Sequence, residues 1–91
     1  NPTEEETTKI VSLWEKTSRG RTATAAEKER FPKSGDVSLL TFALRLHKKP
    51  VVILSNDSDV YQTVQVMQSE GKARDVRVFS YAKNGFLEQR A

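Results

Sequence analysis

Val51-Val-Ile-Leu-Ser-Asn-Asp-Ser-Asp-Val60 is a short apolar run that ends abruptly in two carboxylates. Such a run predicts a strand buried on both faces, which is typical of a parallel strand covered by helices. In open α/β sheets, ligands bind outside the carboxyl ends of the strands. Asp57 and Asp59 follow the predicted strand directly. They are therefore the first candidates for chemistry.

Two helices and a second strand are predicted around this stretch. Asp36 is an acceptable N-cap for an apolar helix over residues 37 to 46. A further helix is expected from about Ser58 to Glu70, with Gly71 at the position after its end. Asp75–Tyr81 then predicts a second strand. This strand–helix–strand order is a βαβ unit with parallel strands and a right-handed crossover, so the fold class is α/β.

The N-terminal third of the chain shows a weaker pattern. A capping box at Thr3–Glu6 predicts a first helix over residues 4 to 17, in which Trp14 is expected to be a core anchor. Residues 18 to 35 are polar and basic and predict a loop. A short helix from about Thr24 to Arg30 fits inside that loop, since a second capping box begins it.

The length of 91 residues limits the chain to one small domain, or to a fragment of one because it starts at Asn1 rather than methionine. Two strands make a poor sheet on their own. We therefore expect further strands to come from outside this chain, or from a region that the pattern shows as loop or helix. The tail is expected to form at most a helical turn around Phe86 and Leu87. The predicted parts are 1–34 (helix and basic loop), 35–81 (α/β core) and 82–91 (tail).

Composition excludes several classes of protein. The chain has no cysteine, so it has neither a disulfide framework nor a zinc–thiolate site. This fits a reducing compartment, and we expect an intracellular location, cytoplasmic or nuclear. No apolar run of about 18 residues is present, so no membrane partner is expected.

The net charge of +3 is unevenly distributed along the chain. Two basic clusters could contact phosphates of a nucleic acid, although solvated basic loops explain them equally well. The only histidine, His47, is expected to complement a helix dipole rather than to act in catalysis. The candidate nucleic-acid-binding residues are Arg19, Arg21, Lys28, Arg30 and Lys33 in one cluster, and Lys48 and Lys49 in the other.

Asp36, Asp57 and Asp59 form the candidate site. The helix headed by Asp36 should run antiparallel to the strand, which places its N-terminus at the strand's C-terminal edge. Carboxylates gathered there could hold Mg²⁺ or Mn²⁺, activate a water and neutralise charge on a phosphate. The alternative is structural: Asp36 and one of Asp57 or Ser58 are N-caps, and Asp59 is a solvated carboxylate that complements the helix dipole.

The order and spacing of several motifs resemble the C-terminal half of a PIN-like nuclease domain, and most closely its NYN subgroup. The resemblance implies a three-layer α/β fold and metal-dependent hydrolysis of RNA, most often single-stranded, with Mg²⁺ or Mn²⁺. The stretches that carry it are Gly35-Asp36-Val-Ser-Leu-Leu-Thr-Phe-Ala-Leu44, Val51-Val-Ile-Leu-Ser-Asn-Asp-Ser-Asp59, Gly71-Lys72 and Asp75-Val-Arg-Val-Phe79.

Carried over by position, the resemblance implies catalytic and metal-binding roles for Asp36, Asp57 and Asp59. Ser55, Asn56 and Ser58 would support the loop, and the first two could hydrogen-bond waters on the metal. The family's domain begins with a strand that carries an aspartate, and no such strand precedes Asp36 here. Glu27 or Glu29 could supply the missing carboxylate.

Three functions therefore stay open. The first is an endoribonuclease, and the second is a catalytically inactive PIN-like module that binds nucleic acid or protein. In either case the rest of the protein, or an oligomeric partner, could complete the sheet. The third is a receiver or nucleotide-binding domain, which would need a lysine opposite the carboxylates, and none is identifiable.

Overall fold

A computed structural model describes residues 1–31, 33–46 and 48–90, so His47 lies outside the described residues. Over this part of the chain the protein is a small α/β domain with five helices and a three-stranded mixed sheet. The elements are α1 (Glu4–Glu15), α2 (Ser18–Thr22), α3 (Ala25–Arg30), α4 (Ser34–Arg45), β1 (Val51–Leu54), α5 (Ser58–Ser69), β2 (Val76–Ala82) and β3 (Gly85–Glu88).

The sheet has the strand order β1-β2-β3, and its first two strands are parallel, as predicted. Val51 lies beside Val76 and Leu54 beside Phe79. The backbone N–H of Ser55 donates to the carbonyl of Phe79 at 2.9 Å, which carries the pairing one residue beyond β1. The carboxyl ends of both strands therefore lie at the same edge of the sheet.

The third strand corrects the prediction of a helical turn in the tail. β3 pairs antiparallel with β2, and Tyr81 lies opposite Phe86. The two-residue turn Lys83-Asn84 joins the two strands, and Phe86 favours an extended backbone. One of the missing strands thus comes from inside the chain.

The prediction that β1 is buried on both faces is wrong. Val51 and Ile53 are buried, whereas Val52 is 59% exposed and Leu54 51% exposed. Helices α1, α4 and α5 build the core with one face of the sheet, and Ile10, Leu40 and Val60 are among its residues. Over the described ranges, no second helical layer covers the opposite face.

The residues at the helix termini explain where the helices begin and end. A capping box of Thr3 and Glu6 starts α1, as predicted. The predicted N-cap at Asp36 is wrong: α4 begins at Ser34 with Lys33 at the N-cap position, and Asp36 lies in the first turn. Gly71 follows α5 with a φ of +77°, a conformation that glycine adopts without strain, which confirms its predicted place.

The segment predicted as a basic loop is mostly helical. The expected short helix is present as α3, but α2 was not expected. The hydroxyl of Thr17 accepts from the N–H of Gly20 at 3.0 Å, which caps α2. A Cβ on Gly20 would lie only 2.0 Å from the Trp14 carbonyl oxygen. Glycine is therefore required for α2 to fold against the end of α1.

We expect Gly20→Ala to destabilise the domain by about 1–3 kcal/mol, since the new methyl group meets backbone that cannot move aside cheaply. Urea unfolding followed by circular dichroism measures the change. Gly35→Ala is the matched control, because nothing lies within 4 Å of the place that its new methyl group would take, and α4 should gain about 0.5–1 kcal/mol. Equal effects of the two variants would contradict the close packing of α2 on α1.

Candidate functional site

The three predicted aspartates line one cavity of about 270 Å³ at the C-terminal edge of β1. The loop after β1 carries Asp57, the first turn of α5 carries Asp59, and the first turn of α4 carries Asp36. Helices α2 and α3 supply basic side chains from the other side. The lining residues are Trp14, Arg19, Glu27, Arg30, Phe31, Lys33, Asp36, Asp57 and Asp59.

Asp57 is the N-cap of α5. Its Oδ1 accepts from the backbone N–H of Asp59 at 2.8 Å, and its own N–H donates to the Ser55 hydroxyl at 3.1 Å. The capping interpretation is therefore correct for Asp57. The cap uses one oxygen of the carboxylate, so the same side chain can cap a helix and offer its second oxygen to a ligand.

The loop between β1 and α5 is held to the sheet by side chains. The Asn56 amide donates to the Tyr81 carbonyl at 3.0 Å and accepts from the Tyr81 N–H at 2.8 Å. The Ser55 carbonyl accepts from the Gln89 amide at 2.9 Å. Ser58 is exposed at the start of α5. In the structure, Ser55 and Asn56 thus fix the loop through protein contacts.

Asp59 is buried, with 7% of its surface exposed. Its Oδ1 accepts from the indole Nε1–H of Trp14 at 3.1 Å and lies 3.4 Å from Nε of Arg19. The alternative of a solvated first-turn carboxylate is therefore wrong for Asp59. A buried carboxylate with two positive or polar donors is a fixed part of the cavity wall.

Asp36 lies close to a second negative charge. Its pKa is raised by burial first, then by the charge of Asp57 and by a hydrogen bond between the two carboxyl groups, whereas Lys33 opposes the rise. Two neighbouring carboxyl groups repel each other when both are ionised. A cation placed between them would relieve that repulsion.

The basic residues divide into two groups. Arg19, Arg30 and Lys33 line the cavity. Lys28 instead lies 3.5 Å from the Glu15 carboxylate. Lys48 borders a different cavity together with Arg74, at the opposite end of β1 from the aspartates. The predicted nucleic-acid-binding residues are therefore not one surface, and Arg21 and Lys49 are exposed outside the aspartate cavity.

Two aromatic residues of the cavity were not expected at a site. Trp14 is buried, as its predicted role in the core requires, and stacks on Phe31 with ring centroids 4.4 Å apart. Its bond to Asp59 was not predicted. A buried indole N–H needs a hydrogen-bond acceptor, but the sequence does not show which residue supplies that acceptor. Glu27, which was considered as a fourth carboxylate, does line the cavity.

The side chains that line the cavity meet only the minimum requirement for binding a divalent cation. Among the described residues, no group of three acidic, histidine or cysteine side chains has the geometry to hold a metal ion. Mg²⁺ commonly binds through one or two carboxylates and keeps several waters. Asp36 and Asp57 are the two carboxylates that could meet that requirement, since both line the cavity and the charge of Asp57 raises the pKa of Asp36.

Comparison with family models, with curated proteins and with solved structures finds no match for this chain. In the part of the chain that the structure describes, no helix is both long enough and apolar enough to span a membrane. Function is therefore inferred from the cavity itself.

We expect Asp36→Asn to raise the melting temperature at pH 7 by about 2–5 °C in the absence of divalent ions. The folded-state pKa of Asp36 is raised, so its contribution to stability is full below about pH 3.9 and is lost as the pH rises through the folded value. At pH 7 the ionised carboxylate is therefore destabilising. Partial exposure of this side chain screens the repulsion and keeps the effect small.

Thermal unfolding at pH 3 and pH 7 measures this effect, and the gain should vanish at the lower pH. Asp75→Asn is the matched control, because this substitution makes the same chemical change at a residue that does not line the cavity. A gain at pH 7 that is equal in the two variants would show that general charge, and not the Asp36–Asp57 contact, is responsible.

Proposed function

We propose that this chain is a PIN-like nuclease domain that hydrolyses RNA phosphodiesters with Mg²⁺ or Mn²⁺. One observation carries the proposal: Asp36 and Asp57 come from separate elements and meet at the C-terminal edge of β1, where burial and this contact raise the pKa of Asp36. Carboxylates that only cap helices have no need to meet. An RNA substrate also agrees with the intracellular location expected from the lack of cysteine.

Each side of the cavity has a role in this proposal. Asp36 and Asp57 hold the ion, and Asp59 completes the acidic wall beside them. A bound Mg²⁺ or Mn²⁺ supplies an acidic water and neutralises charge on the phosphate. The carboxylates lower the local affinity for anions, so the phosphate also needs basic groups at the rim.

Arg19, Arg30 and Lys33 are the basic groups that would contact the RNA backbone, because they line the same cavity as the aspartates. Guanidinium groups bind phosphate oxygens in a bidentate manner. Lys48 and Lys49 precede β1 and would contact only a longer RNA, since β1 separates them from the cavity by about 13 Å.

We expect Asp57→Asn to reduce Mn²⁺-dependent cleavage of single-stranded RNA by about 100-fold or more, which is the loss typical of removing a catalytic group. Asparagine is as good an N-cap as aspartate, so α5 keeps its start while the charge is lost. Gel analysis of a labelled oligoribonucleotide measures the rate, with Asp75→Asn as the control.

Cleavage of RNA by the Asp57→Asn variant at the wild-type rate would refute the proposed chemistry. RNA binding without any cleavage by the wild type would instead favour the inactive binding module. Binding is measured separately by fluorescence anisotropy in EDTA, so the two activities are distinguishable.

A second candidate role is that of a module whose sheet is completed by another polypeptide segment. β1 ends the strand order, so over the described residues one of its edges pairs with no strand. The open face beside it carries Val52, Leu54, Tyr81 and Phe86, each more than half exposed. Exposed apolar patches of this kind mark interaction sites.

If a second copy of the chain completes the sheet, Leu54→Lys should shift the protein from dimer to monomer, because the change charges the open face. Sedimentation velocity at several concentrations measures this. Lys83→Glu, in the turn after β2, is the control for a surface charge change. A wild type that stays monomeric at high concentration would exclude self-association.

A further inference from the structure

The outer edge of β1 carries backbone groups that pair with no strand in the part of the chain that the structure describes. The N–H groups of Val51 and Ser55 donate to carbonyl oxygens on the β2 side, at 3.1 Å and 2.9 Å. Alternate residues of a strand bond to the same neighbour, so the residues between these face the other way. Val52 and Leu54 therefore direct their N–H and C=O groups to the open edge.

We propose that this edge pairs with the same edge of a second copy of the chain, with the two β1 strands antiparallel about a twofold axis beside Ile53. The inference rests on the second candidate role above, a sheet completed by a further strand, and does not need the nuclease chemistry. Twofold dimers are the most common oligomers, and their interface is the same patch on both copies. An unpaired strand edge is a patch that can meet itself in this way.

β1 lacks the features that keep most edge strands from pairing. Such strands are protected by charged side chains, by proline or by a bulge. Val51–Leu54 is purely apolar, and the two residues that bear the open backbone groups, Val52 and Leu54, also have side chains that are more than half exposed. Pairing with a second strand would thus satisfy backbone groups and cover apolar side chains at the same residues.

The open backbone groups define the register of the two strands. When Val52 lies opposite Leu54 of the second copy, both residues of each copy exchange N–H···O=C bonds. A shift by two residues in one direction sets Leu54 opposite Pro50, which has no N–H. A shift in the other direction sets Val52 opposite Asn56, in the loop that is held to Tyr81. The first register alone pairs all the open groups of β1.

Charge complementarity supports the antiparallel direction. Lys48 and Lys49 lie before β1 and are exposed, whereas Asp57 follows β1 and is half-buried. Antiparallel pairing brings the basic end of one strand beside the acidic end of the other. The register defined above sets Lys49 opposite Asp57 of the second copy. A parallel pair would instead place like charges side by side, which is destabilising.

The contact is small, so the dimer should be weak. It involves a four-residue edge from each copy. Interfaces that bury less than about 1,200 Å² are typical of transient complexes. We therefore expect a dissociation constant on the order of 10–100 μM. Because salt screens exposed ion pairs, this constant should rise with the NaCl concentration.

The register is tested with single cysteines, since the chain has none of its own. Val52→Cys and Leu54→Cys proteins are mixed and oxidised with glutathione disulfide. Opposite residues of a hydrogen-bonded antiparallel pair have Cα atoms about 5.5 Å apart, a distance that a disulfide spans. The mixture should give a cross-linked dimer. Each variant alone should not, because its two cysteines would be diagonal neighbours about 7–8 Å apart.

The charges are tested by sedimentation velocity. Lys49→Glu sets a carboxylate opposite Asp57 of the second copy and should raise the dimer dissociation constant about tenfold. Lys83→Glu is the matched control, because it makes the same charge change in the turn between β2 and β3. The control should leave the dissociation constant unchanged.

Each outcome supports or overturns a named part of the inference. Wild-type protein that stays monomeric at millimolar concentration overturns it and leaves the edge to a strand of another polypeptide. Cross-linking of either cysteine variant alone overturns the register. Equal effects of Lys49→Glu and Lys83→Glu overturn the charge complementarity. None of these results depends on RNA cleavage, which Asp57→Asn tests, so the dimer and the nuclease proposal fail separately.

Discussion

The hydrogen bond from Trp14 to Asp59 is the constraint on which the rest of the arrangement depends. It joins α1 to the first turn of α5 across 45 residues and places an indole in the wall of the acidic cavity. The close approach of Gly20 to the Trp14 carbonyl brings α2 beside the same residue. The N-terminal helices are thereby held over the edge of the sheet, where they bring cationic groups to the aspartates.

Capping and ligand binding are compatible at this edge because a carboxylate has two oxygens. Asp57 uses Oδ1 to satisfy the N–H of Asp59, and this same bond sets the direction of α5. Asp36 caps nothing, although it lies in the first turn of α4. Burial and the charge of Asp57 raise the pKa of Asp36, and perturbed pKa values of this kind are common at functional sites.

The sequence allowed most of the α/β core to be predicted, because local signals and topology agree there. The end of α5 at Gly71 and the parallel pairing of β1 with β2 follow from such signals. The open face of β1 could not be predicted, since Val51–Leu54 is apolar on both faces whether or not a second layer covers it. The rule that ligands bind outside the carboxyl ends of the strands predicted that the aspartates would lie together. The hydrogen-bond partner of Trp14 could not be predicted, because Asp59 is 45 residues away and no local pattern links the two residues.

The side chain of Asn56 pairs with both backbone groups of Tyr81 and so takes the place of one more residue of strand. The loop that bears Asp57 is thereby fastened to β2 close to the turn of the β2–β3 hairpin. The amide hydrogen of Tyr81 can exchange with solvent only when Asn56 releases it. Release of the acidic loop from β2 therefore breaks both hydrogen bonds of Asn56 and frees the amide hydrogen of Tyr81 for exchange.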